Sequence, residues 1–491
     1  MIRALACVLI VGVICLSSAS DNVRAVAVPA ARSSAGLLTF SDSSTYNSYT
    51  FAGSPLGLLD VLTGPVLVDL EYRLMKFHSE TGPDNLFIGN SGAIPTFALG
   101  VPHSVFVVGS YLPWNARTLS AKLSMQQFNF AFVAGSPSGI VSFGVAGEGY
   151  AGRLQKTGST DYRRIMGVDN LGLYLGSQVA PMVRLGVHAA SDALFDSLVQ
   201  TTSPGDTLDR YFTGNIPRIG GDLDFGSPEL PVQSDLSVEW AQRRTIRAFK
   251  PYGDVSALMQ DSLAWNWQAQ GSLPFDKMTY SPAIALGAWS TNSQVHDTAH
   301  KNENPFLIGS ALPGSSWKIS SFHWGLGGSC AYGSLARVSV EYVNTGLDMK
   351  ANAAYGLAES KRSYHRTALG LTGNLHEIKV FRFPQWLQVS LSLGYLNLLD
   401  NALINGYRAR DIGFATEAVS VNSQAWRYQP LYGAGIDERI QRFSIGASTG
   451  FLDRTITLDT FLAWLSRKRA NTLEKGFEFG IDLAYQVKGP Q

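Results

Sequence analysis

Apolar and polar residues alternate with a period of two along most of the chain from residue 64 to the end. The clearest example is GFEFGIDLAYQV, residues 476–487, in which every second position is aromatic or aliphatic. In a β-strand, successive side chains point to opposite faces, so each such segment places its apolar residues on one face. The pattern predicts an all-β chain of roughly 14 to 18 strands.

The face opposite the apolar one is small and polar. In WLQVSLSLGYL (386–396) it carries Gln388, Ser390, Ser392 and Gly394, and FSIGASTGF (443–451) repeats this pattern with serine and glycine. A soluble β-sandwich would carry more Lys, Glu and Arg on its outward face. Small polar residues are typical of the lumen of a β-barrel whose outer face contacts lipid. The sequence therefore predicts a transmembrane antiparallel β-barrel.

Turn lengths support this interpretation. The sequence predicts tight connections at Leu399–Asn401 and Leu452–Arg454, and longer polar loops at 422–440 and 466–475. Short periplasmic turns that alternate with longer external loops are typical of outer-membrane barrels. With the C-terminus in the periplasm, residues 466–475 form an external loop. Its basic residues are Arg467, Lys468 and Arg469, and we expect either a solvated turn or contact with lipopolysaccharide.

Two segments depart from the strand pattern and predict short amphipathic helices. SDALFDSLVQ (191–200) has apolar residues at helical spacing, and DVSALMQDSLAWNWQAQ (254–270) repeats this with two tryptophans. Such helices would either pack on the barrel mouth or frame an entry site for an apolar ligand. The candidate substrate-binding residues are Leu258, Met259, Leu263 and Trp265.

Composition and charge argue against an average soluble domain and against a nucleic-acid-binding protein. Charged residues make up 16% of the chain, against roughly 25% in an average soluble domain. The formal net charge is +1, which indicates no nucleic-acid partner.

The chain divides into three predicted regions. Residues 1–25 resemble a secretory signal peptide, with Arg3 before an apolar run too short for a transmembrane helix. Residues 26–63 are rich in Ser, Gly and Thr and form a plug or a lead-in segment, and 64–491 form the barrel. Removal of the signal peptide leaves Cys330 alone, so no intrachain disulfide is possible.

Three motifs that suggest chemistry are better explained as barrel structure. Gly147–Gly152 fits G-x-G-x-x-G and Gly446–Gly450 fits G-x-S-x-G, but neither stands between a strand and a helix as the corresponding chemistry requires. His296 and His300 have the i, i+4 spacing of metal ligands but lie in a polar segment without a convincing third ligand. We therefore expect no cofactor, no metal site and no enzymatic activity.

Two segments carry a family resemblance. AGSPLGLLDVLTGP (52–65) is similar to the N-terminal region, and PTFALGVPHSVFVVGSYLPW (95–114) to the early strand pair, of the FadL-like outer-membrane transporters of hydrophobic compounds. The resemblance implies a barrel of about 14 strands with an N-terminal plug, located in the bacterial outer membrane. It also implies uptake of hydrophobic compounds such as long-chain fatty acids.

Other functions remain open. Related barrels serve as secretion-system components, and a general diffusion porin is a further alternative. The expected partners are outer-membrane lipids, lipopolysaccharide, hydrophobic small molecules and the barrel-assembly machinery. That machinery reads a C-terminal aromatic strand, although this chain continues beyond the strand through residues 488–491.

Overall fold

The computed structural model describes most of residues 66–487. Undescribed positions within that range are 80–85, 102–104, 118–120, 136–139, 157–161, 204–205, 227–231, 251–254, 298–315, 354–355, 379–380, 382, 385, 405–406, 409–437, 453–454 and 470–471. For some strand residues only the backbone is described. The predicted signal peptide and the predicted plug or lead-in segment lie outside the described residues.

The described chain is almost entirely β-strand. The strands are β1 Val66–Ser79, β2 Leu86–Val101, β3 Val105–Arg117, β4 Ala121–Gly135, β5 Val141–Lys156, β6 Tyr162–Ala180, β7 Val183–Ser203, β8 Asp206–Phe225, β9 Val232–Lys250, β10 Val255–Gly271, β11 Leu273–Phe275, β12 Met278–Asp297, β13 Ser316–Tyr332, β14 Ala336–Ala353, β15 Gly356–Asn374, β16 Leu387–Ile404, β17 Tyr407–Arg408, β18 Glu438–Phe451, β19 Ile456–Arg469 and β20 Thr472–Val487.

These strands form one closed antiparallel sheet. Apart from the short β11 and β17, each strand pairs with its neighbours in chain order, and β1 pairs with β20 from Val66↔Val487 to Ser79↔Glu474. Of the 20 strands, 18 form the ring, which is the upper limit of the predicted range. Because the ring closes, none of its 18 described strands is a free edge strand.

The outward face of the sheet is apolar and exposed. On β6 it carries Leu171, Leu173 and Leu175, which are 57%, 54% and 46% exposed, while the alternate residues Gly172 and Tyr174 point inward. The same arrangement recurs around the ring. Other outward residues are Val107, Phe130, Phe132, Phe143, Leu185, Val187, Leu223, Val238, Leu326, Val340, Leu369, Leu391, Leu393, Ile445, Phe479, Ile481 and Leu483.

Aromatic residues border this apolar band at both ends. The end with the short turns has Phe225, Tyr280, Tyr332, Phe451 and Tyr485, and the opposite border has Trp240, Trp324, Tyr342, Phe443 and Trp464. On β13, Tyr332 and Trp324 mark the two borders of the band. The strand between them is about 27 Å long, which corresponds to a height of about 20 Å along the barrel axis at a tilt of roughly 40°. Paired aromatic girdles around a band of this height are typical of barrels that cross a bilayer.

The strands extend well past this band. β7 has 21 residues, whereas a tilted strand needs ~9–11 residues to cross the hydrocarbon core. Because the band lies near the short-turn end, the excess length projects beyond the opposite face, which we call the loop end.

The prediction of two short amphipathic helices is wrong. Residues 191–200 lie within β7, and β10 begins at Val255 and runs through the second segment. Helical structure in the described part of the chain is limited to one 3-10 turn, Leu375–Glu377, where Asn374 Oδ1 accepts a hydrogen bond from the His376 backbone N–H at 3.3 Å. No helix among the described residues is long and apolar enough to cross a membrane.

The turn predictions have mixed outcomes. Leu452 lies in the connection between β18 and β19 as predicted, and its carbonyl accepts a hydrogen bond from the Thr455 N–H at 3.0 Å. By contrast, Leu399–Asn401 lie inside β16, and the predicted loop at 466–475 is mostly strand, since β19 continues to Arg469 and β20 begins at Thr472. Polar residues occur there because the strands have left the apolar band.

Candidate functional site: the polar wall of the lumen

Strands β7, β8 and β9 bring charged residues together on the inner face of the barrel. Arg184 and His188 alternate with the outward Leu185 and Val187 on β7. The inward positions of β8 include Arg218 and Asp224, and β9 adds Glu239. We call Arg184, His188, Arg218, Asp224 and Glu239 the charged wall.

The members of the charged wall are paired across strands. Arg184 Nη2 donates to Asp224 Oδ2 at 2.5 Å, and Arg218 Nη1 donates to Glu239 Oε2 at 3.2 Å. His188 Nε2 lies 3.3 Å from the same Glu239 oxygen. The Arg218 side chain is 1% exposed and that of Glu239 is 10% exposed. Buried charges are stable only when paired, so these contacts fix three strands relative to one another.

The position of the His188 ring follows from the strand register. His188 pairs directly with Gly220, and Gly220 pairs directly with Glu239 on the next strand. A Cβ added at Gly220 would lie 2.5 Å from His188 Cε1 and 2.7 Å from the Val238 carbonyl oxygen. The glycine therefore lets the imidazole cross β8 and reach the carboxylate. On its other side the ring stacks on Tyr174, with centroids 5.6 Å apart.

Polar pairs continue this wall onto β10. Gln270 Nε2 donates to Gln233 Oε1 at 2.9 Å, and Gln268 Nε2 donates to Asp235 Oδ2 at 3.2 Å. Both are directly opposed cross-strand pairs between β9 and β10. Such pairs stabilise neighbouring strands by roughly 0.2–1 kcal/mol each. The wall is therefore polar from β7 to β10.

The wall formed by β16 and β18 has a different character. It carries the small polar residues that the sequence predicts for a lumen, in the opposed pairs Ser390↔Ser448, Ser392↔Gly446 and Gly394↔Ser444. The next strand, β19, adds an inward Phe461, which is 2% exposed and lies beneath the Arg442 guanidinium at 5.4 Å from the ring centroid. The inner face thus combines a charged sector, a small polar sector and a short apolar sector.

An apolar outer band and a polar inner face, joined by a sheet without edges, satisfy the requirements of a bilayer. Inside a membrane every backbone group must be hydrogen-bonded within the protein, and only helices and closed barrels achieve this. The chain is a transmembrane β-barrel of the outer-membrane type. Single-chain transmembrane barrels with an even number of antiparallel strands are typical of the bacterial outer membrane, which is the location of this chain.

Sequence comparison adds no relative, since no protein-family model and no curated protein matches the chain. Solved structures with a similar arrangement are outer-membrane barrels. They include the toluene transporter TodX of Pseudomonas putida, at 10% identity over 94% of this chain and 98% of that chain with a TM-score of 0.33. OccK11 (OpdR) of Pseudomonas aeruginosa is 10% identical over 86% of this chain and 96% of that chain, with a TM-score of 0.35.

The unliganded ferric citrate transporter FecA is also similar, at 8% identity over 84% of this chain and 78% of that chain with a TM-score of 0.43. At these values the likenesses carry no argument about the substrate of this barrel.

The predicted substrate-binding residues lie along β10 and do not form one face. Leu263 and Trp265 occupy outward positions opposite Trp240 and Val238, and Leu263 is 49% exposed. Leu258 falls on the opposite face of the strand from Met259, Leu263 and Trp265 by its register. The side chains of Leu258 and Met259 lie outside the described residues.

The other candidate motifs lie within regular strands. Gly147–Gly152 is inside β5 and Gly446–Gly450 is inside β18, so neither adjoins a helix. His296 is in β12, and His300 lies outside the described residues. Among the residues that the structure describes, no group of three or more His, Cys, Asp or Glu is arranged to hold a metal ion.

Proposed function

We propose that this barrel passively carries small solutes across the bacterial outer membrane through its lumen. The observation that carries the proposal is the polar inner wall from β7 to β10, in which Arg184 and Arg218 each pair with a carboxylate. Barrels of 16–18 strands leave room for an aqueous channel. A wall whose charges are paired offers hydrogen-bonding groups without a strong field, which suits neutral polar solutes.

Liposome swelling tests this function. Liposomes that contain the folded barrel should swell in isotonic solutions of small sugars, at rates that fall as the sugar becomes larger, because passage through a fixed lumen is limited by size. Planar bilayers should show steady conductance. Swelling no faster than that of protein-free liposomes, with correctly folded protein, would contradict the proposal.

Hydrophobic compounds such as long-chain fatty acids are the second candidate cargo. Support comes from Leu263, which is exposed and lies directly opposite the exposed Trp240 on the outward face, with the half-buried Trp265 two positions along the same strand. A ligand would bind there through buried apolar area. The segment 26–63 would act as the gate that such a pathway needs.

A paired substitution tests this second cargo. Changing Leu263 and Trp265 together to serine should weaken oleate binding at least three-fold, because the apolar surface that the acyl chain covers is lost. Phe275→Ser is the matched control, since Phe275 is 73% exposed at the short-turn end. Binding is measured by fluorescence titration in detergent. Equal affinity of the paired variant and the control would exclude the β10 residues as the site.

The proposal includes partners at the membrane. These are outer-membrane lipids, lipopolysaccharide among them, and the barrel-assembly machinery that inserts the chain. A barrel that acted instead as a secretion adaptor would co-purify with partner proteins and fail to swell liposomes.

A further inference from the structure

Two basic residues face each other on the outside of the barrel, beyond the loop-end aromatic girdle. Arg439 on β18 and Lys468 on β19 are directly opposed in the register. Both side chains are exposed. They share the outward face with Phe443 and Trp464, which lie four positions nearer to the band and contact each other with ring centroids 5.9 Å apart.

This arrangement places two positive charges side by side. Directly opposed side chains have Cβ atoms about 4.5–5.5 Å apart, and like charges at that separation destabilise the strand pair. The hydrogen bond of the Arg439 Nε–H goes to the neutral Asn397 Oδ1 at 3.0 Å. No ion pair of Arg439 or Lys468 with a described residue relieves the repulsion.

The height of the pair corresponds to the lipid headgroups. Four residues along a strand span about 13 Å, or roughly 10 Å along the barrel axis after tilt. The aromatic pair marks the edge of the hydrocarbon, so the cations lie in the headgroup layer that borders it. Lys475 on β20 is also exposed at this level, since it pairs with Ser466 on the outward face of β19.

We propose that Arg439 and Lys468, with Lys475 beside them, bind a lipid A phosphate of lipopolysaccharide. A phosphate dianion between two adjacent cations forms charge-assisted hydrogen bonds with both and removes their mutual repulsion. The arginine fork suits two phosphate oxygens, and the lysine acts as a point charge. The acyl chains of the same lipid lie against Phe443, Trp464 and Ile445 below. The site rests on the outer-membrane placement and not on any particular cargo.

The test compares the folded barrel in detergent with the paired variant Arg439→Gln, Lys468→Gln. The probes are deep-rough lipopolysaccharide, the same lipid after phosphatase treatment, and phosphatidylglycerol. Wild-type protein should bind intact lipopolysaccharide at least five-fold more tightly than the paired variant does, and the difference should disappear with the dephosphorylated lipid. Lys277→Gln, an exposed lysine at the short-turn end, should bind like wild type.

Two further measurements separate this site from the fold and from solute passage. The exchange variant Arg439→Lys, Lys468→Arg keeps both charges and should bind within two-fold of wild type. Heat-modifiable mobility and liposome swelling should be the same for the wild type and the paired variant. Equal binding of intact and dephosphorylated lipid by the wild type, or phosphatidylglycerol bound as tightly as lipopolysaccharide, would overturn the proposal. If liposomes that contain the wild-type barrel do not swell, that result contradicts the proposed solute passage and leaves the lipopolysaccharide site unaffected.

Discussion

Replacing Glu239 with leucine should lower the free energy of unfolding of the barrel by about 3 kcal/mol. The change leaves the Arg218 guanidinium buried without the carboxylate that it contacts at 3.2 Å, and it removes the acceptor that lies 3.3 Å from His188 Nε2. Breaking a buried ion pair by removing one partner costs about 3–5 kcal/mol. Urea unfolding in phospholipid vesicles, followed by tryptophan fluorescence, measures the difference.

The paired variant Arg218→Met, Glu239→Leu should recover at least half of that loss, because it removes the buried guanidinium together with its carboxylate and fills the same volume with apolar atoms. Asp348→Leu, at an exposed carboxylate on β14, is the matched control and should stay within about 0.5 kcal/mol of wild type. If Glu239→Leu unfolds at the wild-type urea concentration, the ion pair does not hold the inner wall together.

Arginine at Leu175 should destabilise the barrel by about 2–4 kcal/mol. Leu175 is 46% exposed and lies on the outward face of β6, midway between Leu171 and Val179. A guanidinium there contacts the centre of the hydrocarbon and is stable only if it reaches an interface. The same urea titration in vesicles gives the magnitude.

Val179→Arg is the matched control for depth. Val179 is 59% exposed on the same strand, but it lies at the short-turn end, where arginine costs only about 0–1 kcal/mol. Equal destabilisation by both substitutions would mean that the outward face of β6 does not lie across a bilayer. In detergent micelles, whose apolar interior is thinner, the two variants should differ less in their free energy of unfolding.

The sequence predicts the strands well where one face is uniformly apolar. Phe477, Phe479, Ile481, Leu483 and Tyr485 define β20 because lipid contacts that face along its length, and in the structure this strand closes the ring on β1. The serine and glycine positions of β16 and β18 likewise identify the lumen face. In both cases the lipid outside the sheet and the lumen inside it determine which residue types occur on each face. The strands can therefore be predicted from the sequence pattern alone.

The helices predicted at 191–200 and 254–270 show where this logic fails. In β10, outward Leu263, Trp265 and Trp267 alternate with small or polar residues, which is a regular strand pattern. A helix over this segment would place Leu258, Met259 and Ser262 on one stripe, whereas the strand register puts Leu258 and Ser262 on the inward face and Met259 on the outward face. A barrel lumen tolerates an occasional apolar residue, so an i, i+4 coincidence imitates a helix.

The charged wall was not predictable from the sequence. His188, Arg218 and Glu239 come from three strands, separated along the chain by 51 residues between His188 and Glu239 and by 21 between Arg218 and Glu239. No local motif joins them, and their contact depends on pairing registers that two-residue periodicity leaves undetermined. A signal was available in the adjacent Gly220 and Gly221, since glycine inside a strand pattern marks the close approach of another group.

The pairing of β1 with β20 has a consequence for how the barrel is made. Its partners, such as Val66 and Val487, are separated by almost the whole described chain, so their encounter carries the largest loop-closure entropy of any contact in the ring. Contacts of such long range slow folding. Before they form, the two terminal strands each expose a row of unpaired N–H and C=O groups and an apolar face that invites aggregation. We therefore expect neighbouring strands to pair hairpin by hairpin at the membrane surface. The pairing of β1 with β20 is then the last step.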